Sequence, residues 1–67
     1  MLNRQTLVRL EAYCDVLIRH YQTRQVKLSR AIMDEDRRRR LWTDCTMHQL
    51  AVHELQKALR HEIETME

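Results

Sequence analysis

The residues best suited to chemistry are a cysteine and three histidines in the second half of the chain. Cys45 and His48 are three residues apart, a spacing that places two metal ligands on one face of a helix. A structural zinc site needs four ligands, and His53 and His61 point about 80° apart and away from that face. We therefore expect no metal site. Cys45 is interpreted as a small core residue, and His48 as an interface residue facing Tyr21.

Cys45 and His48 are also the residue types of a thiol nucleophile and its general base. Such a pair needs an oxyanion hole and a cleft, and the chain contains no glycine to form a tight turn beside the thiol. No carboxylate falls in an apolar segment that would raise its pKa. We expect that the protein is not an enzyme and binds no cofactor.

The strongest local charge feature is the run Arg37, Arg38, Arg39 and Arg40. These side chains are candidates for contacts to phosphate or to an acidic protein surface. Four consecutive helical residues point in four directions, however, and the acidic segment 34–36 precedes them directly and cancels most of their field. With a net charge of only +2, we interpret the run as a solvated helix start, and nucleic acid is not the expected partner.

The composition indicates an all-α protein. The 67 residues include no glycine or proline, the residues that most often mark turns, and no phenylalanine, which is one of the types that favour strands. Charged residues make up 33% and hydrophobic residues 43%, which is too apolar for a disordered tail and too polar for a membrane span. We expect one cytoplasmic domain, residues 1–67, with no membrane segment.

Two series of apolar residues with alternating three- and four-residue spacing predict two amphipathic helices. The first series is Leu7, Leu10, Cys14, Leu17, Tyr21, Leu28 and Ile32, and the second is Leu41, Cys45, His48, Val52, Leu55, Leu59 and Met66. Asn3 is suited to cap the first helix, with Leu2 packing on Leu7 as a hydrophobic staple.

Seven consecutive charged residues, 34–40, separate the two series and break their heptad phase. One continuous helix of about 60 residues and a hairpin both fit, and we favour an antiparallel two-helix hairpin because Asp34 or Asp36 can cap a second helix. We predict helix 1 at about 3–33, a charged turn at about 34–37 and helix 2 at about 37–65. Facing residues should then have numbers that sum to about 69, which pairs Tyr21 with His48 and keeps Cys14 and Cys45 too far apart for a disulfide.

Each helix carries a second, weaker apolar stripe that has no place inside a two-helix hairpin. The residues expected to bind a partner are Val8, Ala12 and Val16 on helix 1 and Trp42, Met47, Leu50, Ala51 and Ala58 on helix 2. A helix that is apolar on two sides normally lies between neighbours, so we expect another chain to complete the core. Two alternatives to a partner remain. The residues of the second stripe are ordinary exposed apolar residues without a role, or Trp42 packs over the end of the hairpin as a core residue.

The layout resembles the YscE-like co-chaperones of bacterial type III secretion. The resemblance rests on a Leu-rich first helix, a charged turn at the midpoint, and the pair Leu41-Trp42 followed by Leu50, Leu55, Ala58 and Leu59. It implies a hairpin that packs on a helical-repeat chaperone and helps to keep the needle subunit unpolymerised, with neither cofactor nor catalysis.

A homodimeric four-helix bundle is the alternative architecture. It would be either a structural module or a regulator that binds nucleic acid through Arg19, Arg30 and the run 37–40. Binding to nucleic acid would weaken steeply with added salt, whereas an apolar helix interface would hardly respond.

Overall fold

The fold is an antiparallel pair of helices, as the sequence predicts. A computed structural model describes residues 3–66, in which α1 spans Arg4–Arg30 and α2 spans Glu35–Thr65. The two helices pack along their length in a particle of 50 × 16 × 14 Å. The all-α hairpin is therefore confirmed, and the continuous helix is not formed.

The start of α1 is fixed by the predicted cap. The side-chain oxygen of Asn3 accepts a hydrogen bond from the backbone N–H of Thr6 at 2.8 Å. This bond satisfies one of the first-turn donors that have no partner within the helix. The predicted staple partner Leu2 lies outside the described residues.

The turn lies three residues earlier than predicted. It occupies residues 31–34, so the expected turn at 34–37 is wrong and most of that segment forms the first turn of α2. Asp34 is the N-cap, because its carboxylate accepts from the backbone N–H of Arg37 at 3.3 Å. Glu35 and Asp36 follow in the first turn, where negative charge interacts favourably with the helix dipole.

The turn needs no glycine because no described residue adopts a positive φ. α1 ends at Ala31 in an extended conformation, and the backbone N–H of Ala31 donates to the carbonyl of Leu28. Arg38 reaches back from α2 and donates to the carbonyls of Leu28 and Ala31. A side chain thus satisfies helix-end acceptors that a glycine-containing motif often satisfies through the backbone.

The register of the helices agrees with the prediction. The rings of Tyr21 and His48 stack, with centroids 5.0 Å apart. The rotation of the helices differs from the prediction, however. Leu10 and Leu55, expected in the interface, are 41% and 51% exposed, whereas Ile18 is buried.

The interface combines apolar and polar layers. Its buried hydrophobic residues are Leu7, Cys14, Ile18, Leu28, Cys45 and Leu59. Gln56 is buried among them at 5% exposure. Ile32 and Met66, also predicted for the interface, are exposed, because Ile32 lies in the turn and Met66 at the end of α2.

Candidate partner-binding surfaces

The residues predicted to bind a partner are all exposed, but they do not form one surface. Val8, Ala12 and Val16 point away from α2 along the outer edge of α1, which we call the α1 edge. The α2 edge, on the opposite side of the hairpin, consists of Met47, Leu50, Ala51 and Ala58. Val16 and Met47 are 55% and 60% exposed. A single neighbour can cover only one edge, so a hairpin held between neighbours needs one on each side.

A third apolar surface extends across both helices. Most of its residues were predicted to lie in the interface between the helices, so the sequence did not indicate an exposed surface here. It consists of Leu10, Tyr13, Leu17, Tyr21, Leu41 and Leu55, and we call it the apolar face. Leu10 and Leu17 are seven residues apart on α1, and Leu41, His48 and Leu55 repeat every seven residues on α2, so each set forms one stripe. The Tyr21–His48 stack brings the two stripes to the same broad side of the hairpin.

The opposite broad side is polar and internally hydrogen-bonded. The side-chain amide of Gln56 donates to Oε1 of Glu11 at 3.0 Å and to Oδ1 of Asp15 at 2.8 Å. Arg60 Nε donates to the same Glu11 oxygen at 2.8 Å. The hairpin therefore has one broad side that is apolar and another whose polar groups already have partners.

A second polar layer lies nearer the turn on this side. The amide of Gln25 donates to the hydroxyl of Thr46 at 2.9 Å, and Gln49 donates to the amide oxygen of Gln25 at 2.7 Å. Gln25 also donates to the backbone carbonyl of Trp42 at 3.4 Å. The Trp42 side chain is 43% exposed on the flank of this layer, which leaves its ring available to a partner.

The four arginines predicted as possible phosphate contacts do not act as one group. Arg38 is partly buried and bound to the end of α1 and to Glu35. Arg39 lies 3.9 Å from Asp36, while Arg37 and Arg40 are exposed. This arrangement favours the interpretation of a solvated helix start over that of a phosphate site.

The two cysteines are free, buried thiols, and Cys45 is the core residue that the sequence predicted. Burial raises the pKa of the Cys14 thiol, the carboxylates of Glu11 and Asp15 raise it further, and Arg60 lowers it. A thiol whose pKa is raised in this way is a poor nucleophile near neutral pH.

His48 is held by stacking on Tyr21 and by a contact of 2.7 Å between its Nδ1 and the carbonyl of Asp44. Within residues 3–66, no group of three or more His, Cys, Asp or Glu residues is arranged to hold a metal ion.

Over the same residues, neither helix combines the length and the apolar character that crossing a bilayer would require. No protein-family model, curated protein or solved structure matches this chain.

Proposed function

We propose that this protein is a non-catalytic helical adaptor that works by packing against another protein. The observation that supports this function is an imbalance between buried and exposed apolar residues. Six hydrophobic residues are buried, whereas eleven large hydrophobic residues are at least 41% exposed in the described chain. Single exposed apolar residues are ordinary, but seven of the eleven fall in groups on the apolar face and the two edges, and grouped apolar residues on so small a domain favour an interaction surface.

The energetics of the hairpin support the same conclusion. A fully buried Leu or Ile side chain contributes about 1.5–3 kcal/mol, and two of the six buried hydrophobic residues are the smaller cysteines. A chain of this length buries too little surface for more than a marginal core. A partner that covers the exposed residues would supply the missing apolar burial.

The more specific form of the proposal is a cytoplasmic co-chaperone of bacterial type III secretion. In this role the hairpin packs on a larger helical chaperone, and together they hold the needle subunit in a soluble form. The α2 edge is the proposed contact surface, since Leu50 and Ala58 belong both to this edge and to the residues that carry the resemblance. Trp42 lies outside this edge, on the flank of the polar layer, and is a second candidate contact because exposed aromatic groups often dominate binding energy.

The test is to co-express the chain with the products of neighbouring genes and to measure the mass of any complex by light scattering after size exclusion. We expect a stable complex with a helical neighbour that is lost in Met47→Glu, because a charge would be placed on the α2 edge. The matched control is His53→Glu, an exposed change on the same helix outside that edge. Equal complex formation by both variants would exclude the α2 edge, and no complex with any neighbour would refute the co-chaperone role.

A further inference from the structure

We propose that two copies of this chain pair through their apolar faces, with the turn of one copy over the termini of the other, to form an antiparallel four-helix bundle. This inference concerns the chain alone and does not depend on the adaptor function. The α1 edge and the α2 edge stay uncovered in such a dimer, so both remain available to a different protein.

The apolar face is small enough for one further hairpin to cover. The outline of the broad side measures about 50 by 16 Å, or about 800 Å², and the apolar face occupies its central part. A stable protein interface of standard size buries about 800 Å² on each partner. A second hairpin has the same outline, so one copy is sufficient to cover the whole apolar face.

Exposed side chains of both helices lie on the apolar face. Tyr13 on α1 and Leu55 on α2 are 56% and 51% exposed on the same broad side. A second copy laid on this side would contact both helices and complete a four-helix arrangement around one core. The other broad side offers no equivalent surface, since Glu11 accepts hydrogen bonds there from both Gln56 and Arg60.

The two ends of the hairpin carry opposite net charge, which favours a second copy as the partner and an antiparallel direction for it. The half of the hairpin nearer the turn, residues 19–51, contains eight basic and four acidic side chains, a net charge of +4. The half nearer the termini, residues 3–18 and 52–66 of the described chain, contains four basic and five acidic side chains, a net charge of −1. An antiparallel pair places opposite charges over each other at both ends, whereas a parallel pair places like charges together.

The first experiment measures mass in solution by light scattering and sedimentation. We expect the purified wild-type chain to have twice its monomer mass of 8.2 kDa. Leu55→Glu and Tyr13→Glu each place a charge on the apolar face and should give monomers. Leu50→Glu is the matched control, because Leu50 is a leucine of the same helix with 55% exposure on the α2 edge, and it should remain a dimer.

Circular dichroism of each variant separates loss of pairing from loss of folding. If Leu55→Glu and Tyr13→Glu give helical monomers, the proposal is supported. If these two variants lose both pairing and helix content, the proposal is still supported, provided that Leu50→Glu remains a helical dimer. A wild-type monomer, or a dimer that persists in Leu55→Glu and Tyr13→Glu, would overturn it.

The second experiment measures direction and needs no change in the apolar face. A spin label on Asp36→Cys reports the distance between the two turns, while Cys14 and Cys45, at 2% and 3% exposure, are shielded from the label. The antiparallel dimer predicts a separation close to the hairpin length of 50 Å. A separation of about 20 Å, two interhelical spacings, would show parallel copies and refute the arrangement.

Discussion

Nε of Arg38, in the first turn of α2, donates a hydrogen bond to the carbonyl oxygen of Leu28 in the last turn of α1 at 3.1 Å. The same guanidinium donates to the carbonyl of Ala31 and pairs with Glu35. Its side chain is only 25% exposed. One arginine therefore joins the end of the first helix to the start of the second, in a turn that contains no glycine.

Arg38→Ala should destabilise the hairpin by about 1–3 kcal/mol, because it leaves partly buried carbonyl groups without a charged donor. Arg39→Ala is the matched control, since the Arg39 side chain is 78% exposed and its carboxylate partner lies 3.9 Å away. The control should change stability by less than about 0.5 kcal/mol. Urea unfolding followed by circular dichroism measures both, and equal effects would show that Arg38 does not anchor the turn.

Asp34→Ala should cost about 1 kcal/mol, because it removes the acceptor for the backbone N–H of Arg37. Asp34→Asn keeps a capping oxygen and removes only the charge, so it should retain most of the wild-type stability. Thermal unfolding of the two variants separates the contribution of the capping hydrogen bond from that of the negative charge. If Asn were as damaging as Ala, the interaction of the charge with the helix dipole would matter more than the cap.

The elements and their register could be predicted from sequence because they depend on local patterns. Asn3 is a favourable capping type, and it caps α1 as expected. Three- and four-residue spacing identified two helices, and matching their lengths across one turn placed Tyr21 opposite His48.

The rotation of the helices and the turn position could not be predicted in the same way. Hydropathy favours burying Leu55 over Gln56, yet Gln56 is buried because Glu11 and Asp15 on the other helix accept its amide hydrogens. Such pairs become visible only when two helices are placed together. The turn was predicted too late because only the folded hairpin shows Arg38 bonded to the end of α1.

Gln56→Ala should destabilise the hairpin by about 1–3 kcal/mol, since Glu11 and Asp15 would lose the buried donor that satisfies them. Gln22→Ala is the control, because Gln22 is exposed on α1 and the change should be nearly neutral. Urea unfolding measures the difference between the two variants. An equally small effect of both would mean that solvent replaces the Gln56 bonds without loss, and that the polar layer does not fix the helix rotation.

The Cys14 thiol should make stability fall at alkaline pH. Its pKa lies above the ordinary value of 9.0 in the folded chain because burial, reinforced by Glu11 and Asp15, disfavours the thiolate. As pH rises through 9.0, the unfolded chain loses the thiol proton before the folded chain does, so the free energy of unfolding decreases until the folded thiol also ionises. Below that range the Cys14 thiol is protonated in both the folded and the unfolded chain, so its contribution to the free energy of unfolding is fully present and constant.

Cys14→Ala lacks this titration, so the stability difference between wild type and Cys14→Ala should shrink as pH rises from about 8 to about 10. Chemical denaturation of both chains at each pH measures the difference, and ionisation of tyrosines and lysines common to both chains cancels. A difference that stayed constant across this range would show that the folded thiol ionises as readily as the unfolded one. Neither burial nor the carboxylates of Glu11 and Asp15 would then disfavour the thiolate.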